Sequence, residues 1–404
     1  MKRSLTVMVW AVLLALVFSW NTALADSPEP DSASAANNAF AFDLFNKVSA
    51  GDNGKNVFLS PYSLSAALSM TYAGAREKTA HEMATVLHYG AVGEKVHQDF
   101  NTMTQEVLKS EKQGIRIHIA NALWGQDSQG FQKDFLDLVG KYYQGGFNQV
   151  DFAGQTEKAR QAINQWVLKN TADKIRELLV PGNIGPDTQL VLTNAIYFKG
   201  DWASKFEKDL TKKMPFHTGS GKSMDVEMMF HDGSFLHGET SDGVQVLELF
   251  YQGEDLSMVI LLPRNGIQDL EKTIQPASFE AWISGLEKKE VKVFLPKFKF
   301  QSRYSLKNAL QFLGMNEAFE GNADFSGMTG GKGGLAISEV IHQANIEVNE
   351  EGTEAAAATA VIMGKSLSMP EVFKADHPFI FVIRHRPTNA ILFMGSVLEL
   401  DEAK

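Results

Sequence analysis

The chain has 404 residues, of which 44% are hydrophobic and 21% are charged, and its formal net charge at pH 7 is −10. This length allows one large domain or two ordinary ones, each with a sizeable core. The acidic balance disfavours nucleic acid as a partner, because the phosphates would be repelled. The chain contains no cysteine, which excludes disulfides, thiol catalysis and thiolate metal sites.

The N-terminal 25 residues have the pattern of a secretory signal peptide. Lys2 and Arg3 precede an apolar run from Val7 to Trp20, and Ala23-Leu24-Ala25 is a small-residue cleavage motif. The run is shorter than the ~18 apolar residues of a membrane span, so export is favoured over stable membrane association. We therefore predict cleavage near Ala25 and a secreted or periplasmic protein.

The body of the chain is predicted to be one domain over residues 38–404, after a disordered lead over residues 26–37 that is small, polar and contains two prolines. Asn38 to Val48 has the apolar spacing of a helix. A short strand from Asn56 to Leu59 is followed by a helix that begins near Pro61. That helix is small and apolar on nearly all sides, so it is predicted to be buried.

Two later strand patterns each carry one polar side chain on an otherwise apolar face. Asn194 lies in the strand Leu190–Phe198, and His342 lies in the strand Val340–Val348. A buried polar group of this kind is more often a satisfied core residue than a functional one. Further strands are predicted over Asp255–Pro263 and Val291–Phe300, and a helix over 306–313, which together indicate an α+β fold.

The stretch from Glu350 to Leu367 has neither helical periodicity nor turn chemistry, and unstructured loops of this length are uncommon in compact domains. Read at period two, its small residues from Thr353 onward fall on one uncharged face, while Glu354 falls on the other. The loop is therefore suited to enter a sheet as a new strand without burying a carboxylate. A helical turn over 354–360 before insertion is the alternative, because alanine has the highest helix propensity.

The segment Glu-Glu-Gly-Thr-Glu at 350–354, followed by four alanines and Thr359, resembles the reactive-loop hinge of inhibitory serpins. Phe373–Ile383 resembles the C-terminal signature of the family, and Phe393-Met394-Gly395 resembles its closing strand. The resemblance implies the serpin fold, with a large central mixed β-sheet, further sheets and about eight to nine helices. It also implies an exposed reactive-centre loop at about 350–370, and it suggests a bacterial, exported member.

The resemblance further implies three groups of site residues. The hinge would comprise Glu350, Gly352, Thr353, Ala355, Ala356, Ala357, Ala358 and Thr359. The shutter, a polar cluster across the central strands, would comprise Ser60, Ser63, Asn194 and His342. The breach, where insertion begins, would contain Trp202.

The function implied by the resemblance is inhibition of serine endopeptidases by a suicide-substrate mechanism, in which the cleaved loop inserts into the central sheet. In inhibitory serpins the residue that enters the target's primary pocket usually lies fourteen positions beyond the hinge glycine, so the resemblance implies a reactive bond at Ser366–Leu367. A small Ser favours an elastase-like or subtilisin-like target. Cleavage at Lys365–Ser366 is the alternative, and it would make a trypsin-like target possible.

No enzyme, cofactor or metal is predicted. His81-Glu82 begins a zinc-peptidase motif, but Thr85 occupies the position of its second His. A monomer is expected. The alternative function is that of a non-inhibitory serpin acting as a binding or chaperone protein, but such members tend to carry bulky or charged hinge residues, and Thr353 and the four alanines do not depart from the inhibitory pattern.

Overall fold

Two β-sheets and the helices packed around them form the fold, in a computed structural model that describes residues 30–51, 54–111, 114–144, 146–353 and 370–403. Within these ranges there are ten α-helices. They are α1 (Ala33–Gly51), α2 (Pro61–Tyr72), α3 (Glu77–Val86), α4 (Val96–Lys109), α5 (Lys133–Tyr142), α6 (Phe152–Asn170), α7 (Ile267–Thr273), α8 (Pro276–Ser284), α9 (Lys307–Leu313) and α10 (Ser326–Thr329).

Fifteen strands alternate with these helices in the described part of the chain. They are β1 (Val57–Leu59), β2 (Ile115–Gln126), β3 (Phe147–Val150), β4 (Leu190–Asp201), β5 (Lys212–His217), β6 (Ser223–Glu239), β7 (Val244–Phe250), β8 (Leu256–Pro263), β9 (Glu287–Pro296), β10 (Phe298–Ser305), β11 (Ile337–Asn349), β12 (Gly352–Thr353), β13 (Glu371–Lys374), β14 (Phe379–His385) and β15 (Ala390–Val397).

The central sheet has six strands in the order β10-β11-β12-β4-β2-β3. It is mixed, because β4 pairs with β11 in parallel and β2 pairs with β3 in parallel, whereas the other pairs are antiparallel. The predicted fold class is confirmed, with a large mixed sheet in an α+β arrangement. The helices number ten instead of eight to nine, because short helices such as the four-residue α10 are included.

The second sheet has nine strands and packs against the inner face of the central sheet. Phe58 of β1 fills the space between them: its ring stacks on Phe393 at 5.4 Å and meets Phe300 of the central sheet edge-on at 6.0 Å. The outer face of the central sheet is covered by α6, whose Ile163 and Val167 pack into a second core. The central sheet therefore has an inner face that packs on the main core and an outer face that packs on the second core under α6.

Helix α1 begins before the predicted domain boundary at residue 38. Helix α1 starts at Ala33, where the Ser32 hydroxyl accepts a hydrogen bond from the Ala35 N–H. Ala36 and Asn37 are fully buried, and the Asn37 amide donates to the carbonyl of Ile391 at 3.0 Å. The prediction of a disordered lead over 26–37 is thus wrong for residues 33–37, because a helix can begin among small polar residues when it packs against a strand. Among the described residues, no helix is both long and apolar enough to span a bilayer.

Candidate functional site at the seam of the central sheet

The candidate site follows the line along which β4 and β11 meet, which we call the seam. The two strands pair directly from Ile337 and Leu190 to Asn345 and Tyr197. Beyond Asn345 and Tyr197, at what we call the upper end of the seam, β12 lies between the two strands. There Thr353 is opposite Val348 of β11 and Gly200 of β4. Strand β12 is antiparallel to both neighbours, so it runs from the upper end of the seam toward the directly paired part.

A buried polar cluster lies on the inner face of the lower seam. The Nδ1 of His342 is hydrogen-bonded to Oδ1 of Asn194, across the two strands. The Asn194 amide donates to the Ser63 hydroxyl at 2.7 Å, and the Ser60 N–H donates to His342 Nε2 at 3.1 Å. All four predicted shutter residues are therefore in one network, and all four are fully buried.

The network fixes the protonation state of His342. Because Nε2 accepts from a backbone N–H, the proton of the neutral ring must sit on Nδ1, from which it is donated to Asn194. Burial lowers the pKa of His342 from 6.5 to about 3. A protonated ring would place a second N–H against the donor of Ser60, so the arrangement requires neutral histidine.

At the upper end of the seam, Trp202 and Tyr251 receive the first residues of the hinge. Their rings stack at 4.6 Å, nearly parallel, and the Trp202 indole N–H donates to the carbonyl of Asn349 at 3.0 Å. The Tyr251 hydroxyl is 2.9 Å from the Thr353 hydroxyl. Thr353 is 1% exposed, so its side chain already lies inside the sheet.

Gly352 fits this position because it has no side chain. Its φ is +151°, and a Cβ there would come within 2.1 Å of the carbonyl oxygen of Gly200. Any other residue would push β12 out of the seam.

Two buried carboxylates anchor the chain just before β12. Glu351 is paired with Lys205 at 2.9 Å and with Lys208 at 2.8 Å, and hydrogen bonds from these ammonium groups lower its pKa. Glu350 accepts from the Thr211 hydroxyl at 2.8 Å and lies 3.4 Å from the Lys297 ammonium. These two buried, ion-paired carboxylates therefore fix the chain directly before it enters the seam as β12.

The remaining predicted residues, namely Ala355, Ala356, Ala357, Ala358, Thr359, Lys365, Ser366 and Leu367, lie outside the described residues. The chain is described again from Pro370, and β13 pairs in parallel with β9 of the nine-stranded sheet. Glu371 fixes the start of β13, since its carboxylate is 2.6 Å from His237 Nδ1 and 3.0 Å from the Lys289 ammonium.

Two residues of the site, the half-buried Asn121 and the buried Tyr251, are absent from the predicted set. Asn121 of β2 accepts hydrogen bonds from Asn194 at 2.7 Å and from Ser63 at 2.5 Å. Its position among apolar residues of β2 would have indicated it by the same criterion as Asn194. Tyr251 could not be found this way, because a largely apolar aromatic ring does not interrupt a hydrophobic segment as an amide or imidazole does. No group of three or more metal-ligating side chains occurs within the described ranges.

A mixed central sheet that holds the start of a loop between two of its strands defines a class of protein, and comparison with known proteins identifies it. A family model described as serpin (serine protease inhibitor) matches residues 35–400, and the chain belongs to this family. Family and relatives together identify a protease inhibitor and not an enzyme.

The chain is 42% identical over 373 residues to the leukocyte elastase inhibitor of Xenopus laevis, covering 90% of this chain and 98% of that protein. It is 42% identical over 375 residues to serpin B6 of Pongo abelii, with the same coverage. Among solved structures it resembles a tumour suppressing serpin (TM-score 0.83, 32% identity, 92% of this chain and 100% of the other) and uncleaved ovalbumin (TM-score 0.82, 30% identity, 91% and 100%).

These comparisons correct two predictions, one of location and one of source. The relatives, including serpins B3 and B8 of Homo sapiens, are clade B serpins, which are intracellular and lack signal peptides, so the predicted secreted or periplasmic location is contradicted. The relatives are vertebrate proteins, and a bacterial source has no support. The apolar run at 7–20, from which export was predicted, lies outside the described residues.

Proposed function

We propose that this serpin inhibits serine endopeptidases as a suicide substrate, by inserting its cleaved loop between β4 and β11. The observation that carries the proposal is the position of β12, whose two residues already pair with both strands. The loop thus starts as a short strand in the seam, and insertion would extend that strand while the direct pairing of β4 and β11 below it opens.

The register of β12 predicts where each later residue would go. Thr353 is opposite Val348 and Gly200, so an antiparallel extension brings residue 359 opposite His342 and Asn194. Thr359 has the same parity as Thr353 and would face inward. Its hydroxyl would then lie between the two shutter groups that now bond to each other, and could replace the partner that each loses as the seam widens.

The chemistry is that of an interrupted peptide hydrolysis. The serine of the target attacks the carbonyl carbon of the reactive bond, the amine of the next residue leaves, and an acyl-enzyme ester remains. Insertion of the loop then carries the tethered peptidase away from the position in which water would hydrolyse the ester. The shutter and breach residues act by determining how readily the seam opens, and take no part in bond cleavage.

We place the reactive bond at Ser366–Leu367, with an elastase-like target. The small Ser suits a shallow primary pocket, and several relatives are named leukocyte elastase inhibitor. Cleavage at Lys365–Ser366 would instead indicate a trypsin-like target. Mass spectrometry of the released C-terminal peptide distinguishes them: a peptide that begins at Leu367 supports our assignment, and one that begins at Ser366 refutes it.

The function is tested by mixing the chain with a panel of elastase-like, subtilisin-like and trypsin-like peptidases, followed by a denaturing gel. A band at the summed mass of chain and peptidase is expected, and it should be absent when the peptidase serine is blocked beforehand. Complete cleavage without that band, for every peptidase tested, would contradict inhibition by acyl-enzyme trapping and favour a non-inhibitory serpin.

A further inference from the structure

Helix α6 and the residues that follow it cross the outer face of the central sheet from edge to edge. The helix begins directly after β3, the edge strand beside β2, and residues 171–184 lead from its end to β10, the opposite edge strand. We call α6 and residues 171–184 the strap. Ile163 and Leu179 of the strap lie in one buried cluster with Ala195 of β4 and Ile341 of β11, so the strap covers the seam.

Two contacts hold the strap on the side of β2 and β3. The Phe152 N–H, at the start of α6, donates to Oε1 of Gln126 at 2.7 Å. The Trp166 ring meets the Trp124 ring edge-on, with 5.6 Å between the ring centroids. Gln126 and Trp124 both belong to β2, and β2 is paired with β4. This end of the strap is therefore attached to the strands on one side of the seam.

Arg303 of β10 holds the strap on the other side of the seam. Its Nε donates to the carbonyl of Leu178 at 2.8 Å, and its Nη2 donates to Oδ1 of Asn183. One forked guanidinium thus binds two points of the strap, and hydrogen bonds from a charged donor are stronger than neutral ones. Because β10 is paired with β11, this end of the strap is attached to the strands beyond the seam.

The two ends are joined to each other within the strap. Leu179, the residue after Leu178, bonds to Asn164 of α6 in both directions: its N–H donates to Asn164 Oδ1 at 2.8 Å, and its carbonyl accepts from the Asn164 amide at 2.8 Å. The Leu179 carbonyl also accepts from Arg160 at 2.7 Å. Adjacent residues are therefore held by α6 and by β10, so the strap cannot lengthen between its two attachments.

We propose that the contacts of Arg303 fasten the strap across the closed seam and are released when the loop inserts. This inference rests on the proposed function. A strand inserted between β4 and β11 would move β10 away from β2 by one strand spacing, about 4.8 Å. A hydrogen bond of 2.8 Å does not survive such a displacement. Trp124 and Phe152 are buried whereas Arg303 is exposed, so the fastening at Arg303 is the one that breaks.

The fastening changes the balance between the uninserted and inserted states. A contact that is made only in the uninserted state stabilises that state alone, and its removal favours insertion by the same free energy. Arg303 acts through the strap and takes no part in bond cleavage, so it is a positioning residue. It slows insertion if it is released before the slowest step of strand entry.

The test compares the Tm of the intact and the loop-cleaved full chain for Arg303→Ala and for a control, Arg176→Ala. Arg176 is an exposed arginine of the strap that has no ion pair in the described part of the chain. Arg303→Ala should lower the Tm of the intact chain by about 2 °C and leave the Tm of the cleaved chain unchanged, whereas Arg176→Ala should change neither. A residue that only supported the fold would lower both.

Arg303→Lys separates the fastening from its charge. Lysine keeps the positive charge, but its single ammonium lacks the forked geometry that reaches both partners, so most of the Tm decrease should remain. Equal Tm losses in the intact and cleaved chain, no loss in the intact chain, or a Lys variant that matches the parent would each overturn the inference. If cleavage leaves the parent Tm unchanged, the proposed function and the release fall together, whereas a lower Tm of intact Arg303→Ala still establishes the fastening.

A second experiment measures the rate of insertion in Thr353→Arg, in which a buried guanidinium should slow strand entry. The number of inhibitor molecules consumed per peptidase then reports the competition between insertion and hydrolysis of the acyl-enzyme. Adding Arg303→Ala should lower this number at least about threefold, because insertion becomes faster, and adding Arg176→Ala should not. An unchanged or higher number in the variant with both Thr353→Arg and Arg303→Ala would show that the fastening does not restrain insertion.

Discussion

At the scale of single residues, burial and hydrogen bonding explain why the polar groups of the seam are where they are. Asn194 and His342 could be predicted because each interrupts an apolar strand face, and a polar group there must find a partner. Periodicity does not give their partners: the family resemblance groups them with Ser60 and Ser63, and Asn121 of β2 appears only in the structure. Tyr251 gave no pattern in the sequence, because its role depends on Trp202 and Thr353 at long sequence distance.

Thr353→Arg should convert the inhibitor into a substrate. The Thr353 side chain is 1% exposed and faces Tyr251, so a guanidinium there would be buried without a partner, at a cost of several kcal/mol. Insertion would slow, and the acyl-enzyme would be hydrolysed. The number of inhibitor molecules consumed per peptidase should rise at least about tenfold, for one slowed step of ~1.4 kcal/mol, whereas Thr353→Ser should behave as the parent. An unchanged stoichiometry in the Arg variant would show that inhibition does not require Thr353 to be seated in the seam.

His342 should make the stability of the chain depend on pH between about 6.5 and 3. Its pKa is lowered by burial to about 3 in the folded state, so between these values the unfolded state binds the additional proton. Stability from this residue is therefore complete above pH 6.5 and is lost as the pH falls, by up to a few kcal/mol. Urea unfolding at pH 7.5 and pH 5 measures the effect. His342→Gln should remove this part of the pH dependence; a variant with the parent slope would assign the dependence to other groups.

At the scale of elements, the strands that form the seam and the buried helix α2 were predictable from apolar periodicity, but the connection between sheets was not. The sequence predicts one strand over Val291–Phe300, whereas the structure has β9 ending at Pro296 and β10 beginning at Phe298, in different sheets. The buried apolar positions are odd-numbered up to Leu295 and even-numbered from Phe298, so the alternation changes phase between the two halves. This change of phase, together with Pro296, which has no N–H to donate, is the local indication that the strand ends there.

Strand β12 is the shortest element of the seam, and Gly352 determines whether it forms. Gly352→Ala would place a Cβ 2.1 Å from the Gly200 carbonyl oxygen, so β12 should leave the seam and expose Thr353. We expect the free energy of unfolding to fall by about 1–3 kcal/mol and the fluorescence of Trp202, which stacks on Tyr251, to change. Gly51→Ala is the control, because a Cβ there meets nothing within 4 Å. If both variants match the parent, β12 is not seated in solution.

At the scale of the whole molecule, the fold combines a large hydrophobic core with the seam between β4 and β11. A third strand, the two-residue β12, lies between these strands only at the upper end of the seam. Below β12 the seam is closed by direct pairing of β4 and β11, and the groups across it are polar. The general fold followed from the hinge and C-terminal motifs because they resemble a family, not from periodicity. The N-terminal segment has a residue pattern typical of export, but the location that this pattern predicts is contradicted by the relatives.

Cleavage of the loop should raise the stability of the whole molecule. In the proposed mechanism the residues after Thr353 gain hydrogen bonds to β4 on one side and to β11 on the other, and Thr359 reaches the level of His342 and Asn194. If extension gains about 10 kcal/mol from pairing and burial, the Tm of a chain of this size should rise by at least about 10 °C. Differential scanning calorimetry before and after limited proteolysis measures this, with Thr353→Arg cleaved in parallel as the variant in which the rise should be smaller. A cleaved parent chain that melts at or below the temperature of the intact chain would show that the loop does not insert, because no other change in the cleaved molecule can add pairing along the seam.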